Sequence, residues 1–470
     1  MTQSDAENPS QVPTDSTSDN EFERESVPKN KLLGLKSFIG MYAGEHTAGT
    51  EFAIGPLFVA HGANAFDVVF GLLLGNLFAV LSWRFMCAPI AARVRQTMYF
   101  QLERICGFKL VSAYNLANGL MFCFLAGAMV SVSATAIGIP FNMTMPGLND
   151  WLPNSVGWIL AVIAVGALIS IVAAKGYSAV SRFANIAAPW MVLVFLACGI
   201  AALPSLGVHS LTDFWQVAKS EIWPGVVQEG KSKFTFWHVF CFAWFCNLAM
   251  HIGMADLSIF RFAKKPSYGF ASATGMYIGH FMAWMAAALL YSLQLQKNPT
   301  NTTVAPGPMA VNIAGLAGAV CVVVAGWTTA NPTIYRAGLA FQILFKKMSR
   351  FKVTLIAGMV ATVGAIFPAL VMKLLDFVAL YGLVLMPMGT VIFIDFWVLP
   401  KIGLKSFFAE WTKRDLNWAA AAAWIVTLGI CLLLNLNAGI EIFFLAIPGW
   451  FIAALIYIAL SKFTQSNYKI

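Results

Sequence analysis

The sequence predicts an all-α integral membrane protein built as a bundle of about twelve transmembrane helices. Three observations carry this reading. Of the 470 residues, 59% are hydrophobic and only 11% charged, the mean hydropathy is +0.73, and long apolar runs recur along most of the chain. That composition lies far from the usual range of soluble domains. Since a span needs roughly 20 apolar residues, the chain accommodates many spans and leaves little for a water-soluble domain.

The apolar runs, bounded by charges, Pro, Gly or Asn, fall at about 35–60, 66–88, 110–137, 155–174, 186–206, 236–260, 270–295, 309–345, 353–371, 374–399, 418–436 and 441–461. Residues 1–30 are rich in Ser, Asp, Glu and Asn and lack the apolar core of a secretory signal, so they read as a disordered cytoplasmic tail. Residues 31–206 then hold helices 1–5, 207–235 an extracytoplasmic loop, 236–400 helices 6–10, and 401–470 helices 11 and 12 with the C-terminal tail.

Loop charges test the count. With the amino terminus inside, the inner loops carry Arg84, Arg93, Arg95, Arg104 and Lys109, then Lys175 and Arg182, then Arg261, Lys264 and Lys265. Lys346, Lys347, Arg350 and Lys352 follow, then Lys401, Lys405, Lys413 and Arg414. The outer loops carry only Lys219, Lys231, Lys233, Lys297 and Lys373. This asymmetry is the positive-inside signature, and it predicts a cytoplasmic-membrane protein with both termini cytoplasmic. The net charge of +9 is thereby a topology signal, and without a basic stripe or aromatic-basic motif nucleic-acid binding is excluded. The eight cysteines show no CxxC pair or metal spacing and read as small core residues.

Two spans depart from plain apolar helix. Helix 1 contains Gly40, Gly44, Glu45, His46, Gly49 and Glu51 where the bilayer middle should lie, and helix 6 contains Asn247, His251, Gly253 and Asp256. Five helices separate these segments, which is the layout of an inverted repeat whose first helices are both discontinuous. Unwound backbone survives at membrane depth only where it lines an enclosed cavity. A small-molecule site between helices 1 and 6 is therefore expected.

In helix 8, Thr328, Asn331 and Tyr335 share one face, and the Ala325 carbonyl lies one turn from the hydroxyls of Thr328 and Thr329, with Pro332 loosening the ladder nearby. Uncharged oxygens of this kind suit a weakly held alkali cation. The other reading is that the hydroxyls simply bond back to the preceding turn.

The helix 8 string Trp327-Thr328-Thr329, with Asn331, Tyr335 and Ala337-Gly338-Leu339, resembles the corresponding helix of cytosine permeases, members of the nucleobase-cation symporter family 1. Helix 10 adds Pro387, Gly389 and Asp395-Phe396-Trp397. Gly75-Asn76-Leu77, the basic loop from Pro89 to Gly107, and the segment from Asp256 to Arg261 also fit. The resemblance spans helices 1–10 and implies a leucine-transporter-type five-plus-five fold with two peripheral helices, carrying a nucleobase-like heterocycle with a coupling cation. It implies Na+ at the Ala325 carbonyl and the Thr328 and Thr329 hydroxyls, completed by main-chain carbonyls near Ala43 or Gly44. It further implies a substrate pocket drawing on Asn115, Asn118, Trp244 or Phe245, His251 and Asn331.

Charges inside a membrane cost roughly 2.5 kcal/mol or more, so Glu45, His46 and Glu51 are functional candidates. A carboxylate here could carry the coupling proton in place of Na+, or pair with an organic cation, an amine or a vitamin precursor. Alternatively, Glu45 and His46 only hold the broken helix together. His280 reads as a core group, Asp256 and Asp395 as gating or capping groups at helix ends, and Asp67 as the cap of helix 2. No Walker-type loop or channel filter is present. The chain is expected to be a non-enzyme, to need no covalent cofactor, to contact membrane lipid and to work as a monomer. A non-transporting sensor on this scaffold is the rival from another class.

Overall fold

Where the sequence places glycine and ionisable residues in mid-span, the backbone gives way. The computed structural model describes residues 21–141, 143–146, 150–304, 306–369 and 374–468, and these are helical, with two isolated β-bridges and no strand among the described residues. Helix α1 runs as two halves, α1a (Lys36–His46) and α1b (Glu51–Ala60). The main-chain N–H and the hydroxyl of Thr47 both donate to the Ala43 carbonyl and close the first half. Helix α6 is divided further, into Phe236–Phe245, Leu248–His251 and Leu257–Phe260. Its second break turns on Met254, which sits at a left-handed φ of 66°, and wide bonds from Gly253 to Leu248 and from Asp256 to Met250 bridge it.

Nine helices among the described residues are long and apolar enough to cross a membrane by length and composition. They are α2 (Ala65–Val94), α3 (Phe108–Phe141), α4 (Val156–Ala174), α5 (Tyr177–Leu206), α7 (Pro266–Lys297), α8 (Ala314–Gln342), α10 (Phe377–Trp397), α11 (Trp418–Ala438) and α12 (Ile442–Ser466). The remaining expected spans are α1 and α6, too short in each piece, and α9 (Arg350–Ala365) with 16 residues. The expected count of twelve thus depends on reading α1 and α6 across their breaks. Asn64 caps α2: its side chain accepts from the N–H of Asp67 and donates back to the Asp67 carboxylate. The capping role expected of Asp67 belongs to Asn64, because the cap is the last non-helical residue.

The packing obeys the inverted repeat. Exchanging each helix with the one five later turns α1 on α5 into α6 on α10, α1 on α7 into α6 on α2, α3 on α9 into α8 on α4, and α5 on α8 into α10 on α3. All of these contacts are present, and α3 crosses α8 directly. Both breaks are covered by close-packed glycines. A Cβ at Gly279 in α7 would stand 2.6 Å from the His46 carbonyl oxygen, and one at Gly389 in α10 would stand 2.1 Å from that of Ile252. Helices α11 and α12 pack on one another and on α10. Buried Asp395 secures them, accepting from Tyr457 Oη at 2.9 Å and from the Phe407 N–H at 3.0 Å.

Of the expected disordered tail, residues 1–20 lie outside the described residues, as does Lys373 of the outer-loop set. Residues 21–30 are placed across the end of the bundle that carries the arginine-rich loops, here termed the basic face. The Glu21 carboxylate accepts from the Tyr177 N–H, Arg261 donates to the Phe22 carbonyl, Arg350 faces Glu21 and Glu23, and Arg24 pairs with Glu103. These carboxylates, read from composition as solvated, instead answer fixed guanidinium groups.

Candidate substrate and ion site

A cavity of about 80 Å³ lies at the meeting of the two broken helices. Helix α1 contributes Glu45, His46, Thr50, Glu51 and Ile54 to its wall, and α6 contributes Phe242, Phe245, Cys246, Asn247, Ala249 and Met250. Leu125 and Met129 of α3, His280 of α7, Thr329 and Thr333 of α8, and Val378, Ala379 and Tyr381 of α10 complete the lining. Phe443, from the first turn of α12 (Ile442–Leu445), closes it. The pair expected to be peripheral therefore reaches the site through one ring.

The carboxylates around the cavity differ in what answers them. Arg336 of α8, fully buried, donates to both oxygens of Glu45 at 2.5 and 3.2 Å and to Asp256 Oδ1 at 2.6 Å. The other oxygen of Asp256 accepts from Tyr42 Oη at 2.5 Å and Trp83 Nε1 at 2.7 Å. One guanidinium thus joins α1a to α6 through α8, with α2 supplying an indole donor. Charges buried at this depth persist only when paired and hydrogen-bonded. Asp256, expected to cap or gate a helix end, makes no side-chain cap bond and instead holds this cluster.

Among the described residues no arginine or lysine pairs with Glu51. Trp284 Nε1 donates to one of its oxygens, and the other lies 3.8 Å from His280 Nε2. His280 stacks on Trp284 with centroids 4.3 Å apart and meets His46 edge-on at 4.8 Å. The expected core role of His280 gives way to a place in the cavity wall. His46 directs Nδ1 at the Tyr42 carbonyl, 2.8 Å away, which leaves its buried Nε2 without a hydrogen-bond partner.

A second group of oxygens adjoins the cavity. Thr328 Oγ1 lies 3.0 Å from the Ala325 carbonyl, and Thr329 Oγ1 lies 3.1 Å from that carbonyl and 2.8 Å from the carbonyl of Glu45. Each hydroxyl has one proton, so Thr329 cannot donate to both carbonyls at once. With Thr328 donating to Ala325 and Thr329 to Glu45 both carbonyls are answered, and the same four uncharged oxygens are of the kind a hard alkali cation takes as ligands. The helix 1 carbonyl that meets Thr329 is that of Glu45, one residue beyond Gly44. The Ala43 carbonyl is occupied by Thr47, and Gly44 packs on the Thr328 side chain.

Of the residues expected to contact substrate, Glu45, His46, Glu51 and Phe245 line the cavity, whereas Asn115, Asn118, Trp244, His251 and Asn331 do not. Asn115 lies ten residues before Leu125, a helical rise of about 15 Å toward the basic face. Asn331 stands two residues from both Thr329 and Thr333, on another side of α8. Trp244 Nε1 donates to Ser82 in α2, and His251 Nε2 meets the Trp244 carbonyl while its ring packs on Trp83. The sequence-derived set omits Arg336, Trp284 and Tyr42. For Arg336 a signal exists, because a charge within an apolar run stands out there just as Glu45 does.

No protein-family model and no curated protein matches the chain. Among solved structures it is similar to Mhp1, a nucleobase-cation-symport-1 family transporter, in a closed conformation with bromovinylhydantoin bound. Identity is 15%, 96% of each chain is covered, and the TM-score is 0.71. The inward-facing conformation of Mhp1 gives 14% identity, coverage of 94% of this chain and 93% of that one, and a TM-score of 0.65. The chain shares the fold of Mhp1. A Na+-coupled sialic acid symporter in a substrate-bound outward-open state shares it at 15% identity, covering 93% of this chain and 90% of that one, with a TM-score of 0.64. The resemblance drawn from α8 and α10 therefore holds at the level of fold, and the chain is a multi-pass membrane protein.

Proposed function

We propose that this chain is a secondary active symporter that carries a small nitrogen-containing molecule into the cell with a cation, by alternating access. The observation that carries this reading is the adjacency of two features. A cavity at the breaks of α1 and α6 shares Thr329 with a cluster of uncharged hydroxyl and carbonyl oxygens suited to Na+. In this reading the four helices α1, α2, α6 and α7 rock against α3, α4, α8 and α9. Na+ couples to transport by favouring one conformation over the other, since a ligand shifts an equilibrium only through differential affinity. The higher TM-score with the closed form of Mhp1 than with the inward-facing form supports an occluded state for the conformation described here.

The basic face is assigned to the cytoplasm of the cytoplasmic membrane by its arginine and lysine excess. A single chain is proposed as the working unit. A nitrogen heterocycle as cargo is favoured by the hydantoin bound to Mhp1. The test is a thermal-shift screen of purines, pyrimidines, hydantoins, amines and vitamin precursors with and without Na+, followed by uptake into proteoliposomes. Sodium-dependent binding and gradient-driven accumulation are expected. Binding indifferent to Na+ in the wild type, and unchanged by Thr328→Ala, would overturn sodium coupling, and accumulation driven by a proton gradient alone would transfer coupling to a carboxylate. Ligand binding without any accumulation would favour a sensor.

A further inference from the structure

The charges about the cavity do not balance. Three buried carboxylates, Glu45, Glu51 and Asp256, face a single guanidinium, and Arg336 spends its hydrogen bonds on Glu45 and Asp256. Among the described residues Glu51 lines the cavity with neutral groups near it, the Trp284 N–H, the Thr50 hydroxyl and a histidine nitrogen. No lysine or arginine is among the lining residues. The rest of the wall is rich in rings, with Phe242, Phe245, Tyr381 and Phe443 around the space that Glu51 borders. A carboxylate and aromatic faces around one small space are complementary to a positive charge, because the carboxylate supplies a counter-ion and the rings present their negative faces.

A neutral base would meet a different wall. It needs a matched set of donors and acceptors, yet among the described residues Asn247 is the one asparagine lining the cavity, with its N–H turned to Cys246 Sγ, while the amides of Asn115, Asn118 and Asn331 stand off it. From this geometry we infer that the cavity selects a small organic cation, a protonated amine or amidine on an aromatic or apolar body, with Glu51 as its counter-ion. This rests on the symporter reading and names its substrate class. It also completes the charge count. Na+ beside the Glu45 carbonyl offsets the excess of the Arg336 cluster, the cationic substrate offsets Glu51, and the fully loaded site is neutral. Loading either ligand alone leaves a buried negative charge unanswered, which disfavours the occluded state and ties the two ligands together.

The experiment compares isosteres on the purified full-length protein, by calorimetry and thermal shift with Na+ present. Benzamidine is set against benzamide, and phenethylamine against 2-phenylethanol. Each cation is expected to bind about tenfold or more tighter than its neutral isostere. Glu51→Gln is expected to abolish that preference, and Glu51→Asp to keep part of it. The wild-type comparison needs no variant, so misfolding of Glu51→Gln leaves the test intact. Equal binding of cation and isostere, a preference that survives Glu51→Gln, or no binding by either pair would each overturn the inference. Stabilisation by Na+ and its loss in Thr328→Ala are read without any of these ligands, so the symporter reading stands or falls separately.

Discussion

Replacing Arg336 by methionine, which keeps much of the side chain's length but removes its charge, tests the cluster that joins α1, α6 and α8. Deleting one partner of a buried ion pair costs about 3–5 kcal/mol, because the other charge is left without compensation. The two carboxylates are not left equally exposed to that cost. Asp256 keeps Tyr42 and Trp83 as donors, whereas Glu45's carboxylate has no other hydrogen-bond partner among the described residues. Glu45 is therefore the group stranded by the loss. Adding Glu45→Gln to Arg336→Met should recover more stability than adding Asp256→Asn, which also weakens the acceptor that Tyr42 and Trp83 need. Coupling of Arg336 to Glu45 should lie toward the top of the usual 0.5–3 kcal/mol range for contacting residues, and coupling to Asp256 below it. Unfolding in mixed micelles can be followed with a thiol-reactive dye, because Cys87, Cys106, Cys123, Cys198, Cys321 and Cys431 are buried and free. A single variant within about 0.5 kcal/mol of wild type, the range of an ordinary surface change, would refute the reasoning, as would equal rescue by the two double variants.

Thr329→Ala removes the hydroxyl placed between the Ala325 and Glu45 carbonyls; loss of Na+-induced thermal stabilisation is expected, and an unchanged Na+ response would exclude this site. Gly389→Ala should destabilise by about 1–3 kcal/mol, since its Cβ would lie 2.1 Å from the Ile252 oxygen, and mixed-micelle unfolding measures it. At the basic face, burial raises the pKa of Glu103, but its hydrogen bond to Arg24, the charge of Arg24 and that of Lys346 outweigh burial and hold the carboxyl below its usual value. The sign follows from that depression: the contact contributes fully above the ordinary value of about 4.3 and is lost as pH falls through the lowered one. Its size is at most about 1 kcal/mol for a partly exposed pair. Proteolysis of the N-terminal segment should therefore accelerate on acidification into that window, and in Glu103→Gln it should be fast already at neutral pH.

Much of the architecture is legible in residue order. Glycines and ionisable groups at 40–51 and 247–256 mark the two breaks, because such residues are tolerated in a span only around a cavity. The side chains that fill that cavity are less legible. Asn115 and Asn118 satisfy the chemistry of base recognition but lie at the wrong depth, a coordinate that composition does not carry. Trp244 and Phe245 are neighbours in one helix, and the angular step between successive helical residues turns the indole N–H of one to Ser82 of α2 and sets the other in the cavity wall. Phe443 arrives from the first turn of a helix outside the repeat, and no periodicity predicts which such turn meets the site. Arg336 follows Tyr335, and its meaning emerges only when Glu45 and Asp256, from opposite halves of the chain, come within reach of it.

Glu45 ties the proposed ion site to the charge cluster through one residue. Its carbonyl faces the Thr329 hydroxyl, and its carboxylate holds Arg336, seven residues further along the same helix. Seven residues are close to two helical turns, about 10 Å, so α1a is anchored to α8 at two levels. Any rocking of α1a against α8 must break or reshape both contacts together. A cation held among the Ala325, Thr328, Thr329 and Glu45 oxygens would strengthen the upper anchor. The lower one lies inside a buried ion pair, whose separation in a dry site is costly. In the proposed symport, movement toward the basic face would then require both that the cation leave and that the Arg336 pair be loosened, as by water reaching it. On the symporter reading, release of the ion and opening of the basic face would be coupled through these two levels of a single helix pair.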